Sequence, residues 1–209
     1  MGFQASNGCA VLPKATRPPI NGLFLFGVMK MDEVLLFEVA TLLAESGLRI
    51  TTAESCTGGL LAHTLTNVPG SSAYFETGFV TYGNEAKRRF LGVSRQTLRR
   101  CGAVSVETAR EMAFGARKKS GADIALATTG IAGPTDGNEA GCDMAKNGCE
   151  AEQAMTGKPV GLVYVALSSK EGTVVEKRRW DGDDRLRNKE RTVEAALTLL
   201  KSYLYGRGQ

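Results

Sequence analysis

The sequence is poor in the residues that build metal centres. It has a single histidine, His63, and its five cysteines include no pair with the spacing of a metal site. A structural or catalytic zinc site normally needs three or four such ligands at short spacings. We therefore expect no bound metal, and reduced thiols of the kind usual in the cytoplasm. A disulfide between Cys142 and Cys149, seven residues apart, stays as an alternative.

The N-terminal segment lacks acidic residues, and no acid occurs before Asp32. Its apolar run, residues 23–29, is much shorter than the roughly 20 residues that a membrane span requires. Three prolines in the same segment discourage regular structure. We interpret residues 1–31 as a disordered or leader extension and expect a cytoplasmic protein with no membrane contact. An organelle-targeting role for residues 1–30 is the alternative.

The composition also lacks an excess of charge. The net charge is +4 over 209 residues, with 43% apolar and 23% charged residues. This charge is too small to indicate nucleic-acid binding by itself. The length and composition are typical of one sizeable globular domain.

Hydrophobic periodicity predicts a mixed order of helices and strands from residue 32 onward. We predict a single layered α/β/α domain over residues 32–206, with a mixed sheet of about five strands. The polar, glycine-containing stretch 137–156 shows little periodicity and is interpreted as a loop insertion. The predicted strands cover residues 48–52, 75–82, 123–129, 160–167 and 173–180, and the predicted helices begin near Asp32, Leu60, Asn84, Ser94, Ser105 and Asp184.

Ser55 is the first candidate for catalysis, because it lies where a predicted strand turns into a helix. Such a turn presents a side-chain oxygen beside backbone N–H groups that have no partner in the helix. The N–H groups of Cys56, Thr57 and Gly58 could therefore stabilise an oxyanion. The alternative is an ordinary serine cap at the start of a helix.

A serine nucleophile needs a base, and His63 is badly placed for this task. It follows Ser55 by eight residues, which in a helix is a rise of roughly 12 Å. Lys87 is the second candidate. If Asn84 caps the next helix, Lys87 lies at the third helical position, where the helix dipole and burial would both lower its pKa. A neutral lysine could take the serine proton, although Lys87 also fits an exposed basic run, residues 87–89.

Two further segments are candidates for anion binding. Thr129 and the loop 130–133 follow a predicted buried strand, and such loops commonly recognise phosphate or carbonyl groups. The loop lacks a complete phosphate-binding motif, so its pattern is a weak signal. Arg185, at the start of the last helix, could clamp a phosphate or simply pair with Asp183.

Six motifs together give the chain a resemblance to the CinA C-terminal domain family, whose members include nicotinamide mononucleotide deamidases. The resemblance runs from about residue 34 to 204. Family members usually have a shorter loop where this chain has residues 137–156. The motifs are Ala-Glu-Ser-Cys-Thr-Gly-Gly at 53–59, Val-Pro-Gly-Ser-Ser at 68–72, Tyr-Gly-Asn-Glu-Ala-Lys at 82–87, Gly-Ala-Val-Ser at 102–105, Thr-Gly-Ile-Ala-Gly-Pro at 129–134 and Lys-Pro-Val-Gly at 158–161.

This resemblance implies hydrolysis of the carboxamide of nicotinamide mononucleotide, which gives nicotinate mononucleotide and ammonia. It implies Ser55 as nucleophile and Lys87 as its partner, with Tyr82 in the pocket. No cofactor is expected, and the expected partners are the small nucleotide substrate and a second copy of the chain in a homodimer. The substrate-binding residues would be Thr129, Gly130, Ala132, Gly133 and Arg185.

A non-catalytic module associated with competence or DNA damage is the alternative function. Six basic residues and no acid lie between Lys87 and Arg100, which would suit an interaction surface. Charge runs are more often solvated helix faces. Aromatic residues suited to stacking on bases are nearly absent from this run, so nucleic acid is not an expected partner.

Overall fold

The structure is a computed structural model that describes residues 33–134, 157–182 and 184–207. The leader segment 1–31, the helix cap at Asp32 and the insertion 137–156 lie outside the described residues. The elements in chain order are α1 (Glu33–Ser46), β1 (Ile50–Glu54), α2 (Leu60–Thr66), a short 3-10 turn (Ser71–Ala73), β2 (Phe75–Val80), α3 (Asn84–Leu91), α4 (Arg95–Cys101), α5 (Val106–Ser120), β3 (Ile124–Gly130), β4 (Leu162–Ser169), β5 (Gly172–Arg179) and α6 (Arg185–Arg207).

The five strands form one mixed sheet in the order β2-β1-β3-β4-β5, which confirms the predicted fold class. Strand β1 runs parallel to both β2 and β3, whereas β4 runs antiparallel to β3 and β5. Glu54, the last residue of β1, lies beside Val80 of β2 and Thr128 of β3. The segments that follow these three strands therefore leave the sheet at one edge, the usual place for a site in an α/β fold.

Hydrophobic side chains fill both faces of the sheet. In β3 the larger residues Ile124 and Leu126 face α1, α2 and α6, while Ala125 and Ala127 face α5. This division follows from the alternation of side chains along a strand. Because both faces are covered, β3 is buried from Ile124 to Thr129, and its sequence is an almost continuous apolar run.

Helix α3 begins one residue earlier than its sequence suggested, so the prediction of an Asn84 cap is wrong. Gly83 is the cap residue, with extended backbone, and the Lys87 N–H donates to the Gly83 carbonyl oxygen at 3.1 Å. Lys87 therefore lies at the fourth helical position, where the effect of the helix dipole is already weak. The predicted helix starts near Ser94 and Ser105 are confirmed, and both serines are caps, since each hydroxyl accepts the N–H of the residue three positions later.

Helix α3 packs very closely on α5. A Cβ atom added to Gly115 in the middle of α5 would lie 1.8 Å from the Leu91 carbonyl oxygen at the end of α3. Only glycine fits such a contact without displacing a backbone. This approach fixes the helix that carries Lys87. None of the helices within the described ranges has the length and apolar character required to cross a membrane.

Candidate active site

The structure brings Ser55 and Lys87 together, although 32 residues separate them in the chain. Lys87 Nζ lies 2.9 Å from Ser55 Oγ, within hydrogen-bond distance. Ser55 is the first residue after β1, and its N–H donates to the Thr128 carbonyl oxygen at 2.9 Å. The serine backbone is thus tied to the neighbouring strand, while its hydroxyl faces the lysine.

Lys87 is a deeply buried amine with a depressed pKa. Its side chain is 1% exposed, and Nζ also donates to the carbonyl oxygens of Thr81 at 2.9 Å and Tyr82 at 3.0 Å. Burial disfavours the ammonium form and lowers the pKa of Lys87 from 10.5 to about 8. A neutral amine has two hydrogens and one lone pair. The two carbonyls accept the two hydrogens, so the lone pair is left for the hydroxyl hydrogen of Ser55.

Cys56 is the other nucleophilic side chain at this turn. Its thiol is buried, and burial raises the pKa of Cys56 to about 12. A thiol with this pKa stays protonated at neutral pH and is a poor nucleophile. The local chemistry therefore favours Ser55 over Cys56 as the attacking group.

Glu54 is fully buried immediately before the serine, and five donors surround its carboxylate. Three of them are the backbone N–H groups of Gly59, Leu61 and Ala62, at 2.8 to 3.0 Å. Two threonine hydroxyls complete the set. The carboxylate therefore binds the N-terminus of α2, where negative charge is favourable. It fixes both ends of the turn that presents Ser55.

The backbone N–H groups of this turn divide into two kinds. The Gly58 N–H donates to the Ser55 carbonyl oxygen at 3.1 Å. The prediction that this N–H is free to stabilise an oxyanion is therefore wrong. The turn closes on itself through this bond. Within the described ranges, the N–H groups of Cys56 and Thr57 donate to no backbone carbonyl oxygen, and the Cys56 N–H faces its own thiol sulfur. These two remain the candidates for stabilising an oxyanion.

Arg185 connects the loop after β3 with the predicted pocket residue Tyr82. Its Nη1 donates to the Gly133 carbonyl oxygen at 2.8 Å, and its Nη2 donates to the Tyr82 hydroxyl at 2.7 Å. Tyr82 is 60% exposed, so these groups lie at the protein surface. The alternative pairing of Arg185 with Asp183 falls outside the described residues.

The remaining predicted binding residues have visible structural roles. The Thr129 hydroxyl donates to the Ala103 carbonyl oxygen at 2.7 Å. A Cβ atom on Gly130 would lie 2.5 Å from a methyl group of Val163, so only glycine fits beside β4. The Ala132 carbonyl oxygen accepts a bond from the buried Asn188 amide at 3.0 Å. These contacts shape the loop and hold it against α6.

Comparison with known proteins identifies the family. A model of the CinA C-terminal domain matches residues 32–144 and 141–204. The chain belongs to the CinA C-terminal domain family. It is 52% identical over 176 residues to a CinA-like protein of Chloroherpeton thalassium and 46% identical over 172 residues to one of Geobacter sulfurreducens. These matches cover 83% and 82% of this chain but only 38% and 37% of the two relatives, so the chain spans less than two fifths of their length.

Solved structures of CinA proteins share the fold. The competence/damage inducible protein CihA from Agrobacterium tumefaciens is 40% identical, with a TM-score of 0.72 over 86% of this chain and 98% of its own. A CinA superfamily protein from Klebsiella pneumoniae is 35% identical, with a TM-score of 0.72 over 83% of this chain and 97% of its own.

The sequence did not point to three residues of this CinA-family site. Glu54 could have been found from the sequence, because an acidic residue in a buried strand just before a helix needs hydrogen-bond donors around its carboxylate. Asn188 is 1% exposed among the apolar residues of α6, and its amide also bonds the Gly182 carbonyl oxygen at 3.2 Å. Lys189 Nζ lies 3.6 Å from the position that a Cβ atom would take on Gly58. Nothing local in the sequence indicates that contact.

We expect Glu54→Gln to destabilise the CinA fold and to lower activity. The amide would place hydrogens against backbone N–H donors, so at least one buried donor loses its acceptor. Such a loss costs about 1–3 kcal/mol of unfolding free energy. Chemical denaturation measures this cost, and kcat should fall because the Ser55 turn loosens.

Glu85→Gln is the matched control for this substitution. Glu85 is an exposed carboxylate on α3 that pairs with Arg88, so its replacement should leave the unfolding free energy nearly unchanged. Equal stability of the two variants would contradict the role assigned to Glu54.

Proposed function

We propose that this domain is a serine–lysine amidohydrolase that converts nicotinamide mononucleotide to nicotinate mononucleotide and ammonia. The observation that carries the proposal is the 2.9 Å contact between Ser55 Oγ and the buried Lys87 Nζ. A buried lysine beside a serine hydroxyl, with no carboxylate bonded to it in the described part of the chain, is the arrangement that a lysine base requires. The choice of substrate follows from the family resemblance.

The first half of the reaction forms an acyl-enzyme. Neutral Lys87 takes the Ser55 proton while Oγ attacks the carboxamide carbon. The developing oxyanion accepts hydrogen bonds from the N–H groups of Cys56 and Thr57. Lys87, now an ammonium, gives its proton to the amide nitrogen, and ammonia leaves.

The second half regenerates the enzyme. Lys87 is neutral again once ammonia has formed, so it can take a proton from water that attacks the ester carbon. The returned proton restores the Ser55 hydroxyl, and the nicotinate product leaves. The two carbonyls that bind Nζ hold the amine in place through both halves.

The mouth of the site suits an anionic nucleotide. Arg185 carries a positive charge at the entrance, between Tyr82 and the loop that contains Gly133. We propose that it binds the phosphate together with that loop. A cytoplasmic homodimer, as expected from the resemblance, is part of the same proposal. A non-catalytic interaction module would not need a buried lysine at the serine hydroxyl.

We expect the purified 209-residue protein to release ammonia from nicotinamide mononucleotide and to continue after exhaustive chelation with EDTA. The expectation rests on Lys87, which supplies the base without a metal ion. A coupled ammonia assay and chromatography of nicotinate mononucleotide measure the two products. Absence of both products from folded protein would favour the interaction module. Loss of activity with EDTA, restored by zinc or magnesium, would contradict the serine–lysine mechanism.

A further inference from the structure

Lys189 is a positive charge at the Ser55 turn that the mechanism above does not use. Its Nζ lies 3.6 Å from the position of a Cβ atom on Gly58, so the ammonium rests against the turn 55–58. The side chain is partly buried. Among the residues that the structure describes, Lys189 has neither a hydrogen bond nor an ion pair. Its charge is therefore available to a ligand.

Arg185 lies one turn earlier on the same helix face as Lys189. Residues four apart in a helix are neighbours, about 6 Å apart along the axis. Two of the five N–H groups of Arg185 donate to Gly133 and Tyr82, so three donors remain for a ligand. The carboxylate of Asp184, immediately before α6, accepts the Arg187 N–H at the start of the helix.

The backbone that carries these two cations is held in place at the start of α6. Asn188, between them in sequence, is 1% exposed and bonds the carbonyl oxygens of Ala132 and Gly182. These bonds tie the first turn of α6 to the loop after β3. The helix therefore carries Arg185 beside Tyr82 and Lys189 beside the Ser55 turn.

We propose that Lys189 and Arg185 together bind the phosphate of the substrate and that Lys189 makes the site selective for a phosphomonoester over the neutral nucleoside. This inference rests on the function proposed above and adds a residue to it. A phosphomonoester carries a charge of about −1.5 to −2 at pH 7, which two cations match. A guanidinium can bind two phosphate oxygens at once, and an ammonium adds a point charge.

The experiment compares Lys189→Gln with the wild-type protein on nicotinamide mononucleotide and on nicotinamide riboside. The ratio of kcat/KM for the mononucleotide over the riboside should fall about 10–100-fold, as expected for loss of one bond to a charged group. The loss should come mainly from a higher KM for the mononucleotide. Lys170→Gln is the control, because this exposed lysine lies in the β4–β5 turn at the opposite end of the sheet.

Binding of ribose 5-phosphate, measured by calorimetry, tests the inference without any turnover. Lys189→Gln should raise its Kd about 10-fold or more, and Lys170→Gln should leave it unchanged. If the protein hydrolyses no amide but this pattern is found, the proposed function fails and the phosphate site stands. An unchanged selectivity ratio and an unchanged Kd would overturn the inference, as would wild-type protein that binds no ribose 5-phosphate. An equal loss of kcat on both substrates would instead assign Lys189 to the chemistry.

Discussion

Ser55→Ala should lower kcat for carboxamide hydrolysis by about 10³-fold or more and leave the fold intact. Removal of a nucleophile abolishes the covalent route and leaves only the rate that binding and the oxyanion site supply. The backbone bonds of Ser55 to Thr128 and Gly58 do not involve its hydroxyl, so the turn should persist. Ammonia release measures the activity, and thermal unfolding measures the fold.

Cys56→Ala is the control for the nucleophile. The Cys56 thiol is buried with its pKa raised to about 12, so its removal should retain most of kcat at a small cost in stability. The identification of Ser55 would be wrong if Cys56→Ala lost activity while Ser55→Ala retained it.

The fold was predictable where local chemistry decides structure. Ser94 and Ser105 cap helices because their hydroxyls reach N–H groups three residues later, a contact within one turn. The apolar run of β3 marks a strand that is covered on both faces. The prediction of a cap at Asn84 was wrong although its side chain suits a cap, because Gly83 takes the cap position and Asn84 is the first residue of the helix.

The site was predictable only in part, because it depends on contacts between distant segments. The turn at Ser55 and the place of Lys87 near the start of a helix follow from local patterns, and the family resemblance implies that the two residues are partners. The burial of Lys87 and its bonds to Thr81 and Tyr82 require the packing of α3 against α5. The contact of Lys189 with the turn depends on how α6 crosses the sheet. Neither can be inferred from spacing along the chain.

Burial, rather than the helix dipole, accounts for the pKa of Lys87. The amine lies at the fourth position of α3, beyond the first turn, and the dominant cause of its lowered pKa is loss of hydration. Between pH 8 and 10.5 the unfolded chain binds a proton here that the folded protein does not. Lys87 therefore contributes a gain of about 3 kcal/mol to the unfolding free energy across this range as the pH rises. In Lys87→Met this contribution should be absent from the pH dependence of denaturation.

Lys87→Arg should abolish activity nearly as completely as Lys87→Met. Arginine keeps the positive charge but does not lose its proton in the working pH range, so it cannot take the Ser55 proton. The loss should appear in kcat rather than in KM, since the base acts on the chemical step. Methionine has a similar length and no charge, so it serves as a folded comparison if the larger guanidinium does not fit the buried position.

The wild-type pH profile supplies the remaining test of Lys87. The active form has a neutral amine, so kcat/KM should rise about tenfold per pH unit up to a pKa of about 8 and then level off. If Lys87 only attracted the substrate phosphate, its ammonium would be the active form, activity would fall above pH 8, and arginine would replace it well. An arginine variant with near-wild-type kcat would exclude the general-base role, because a group that keeps its proton cannot activate the serine hydroxyl.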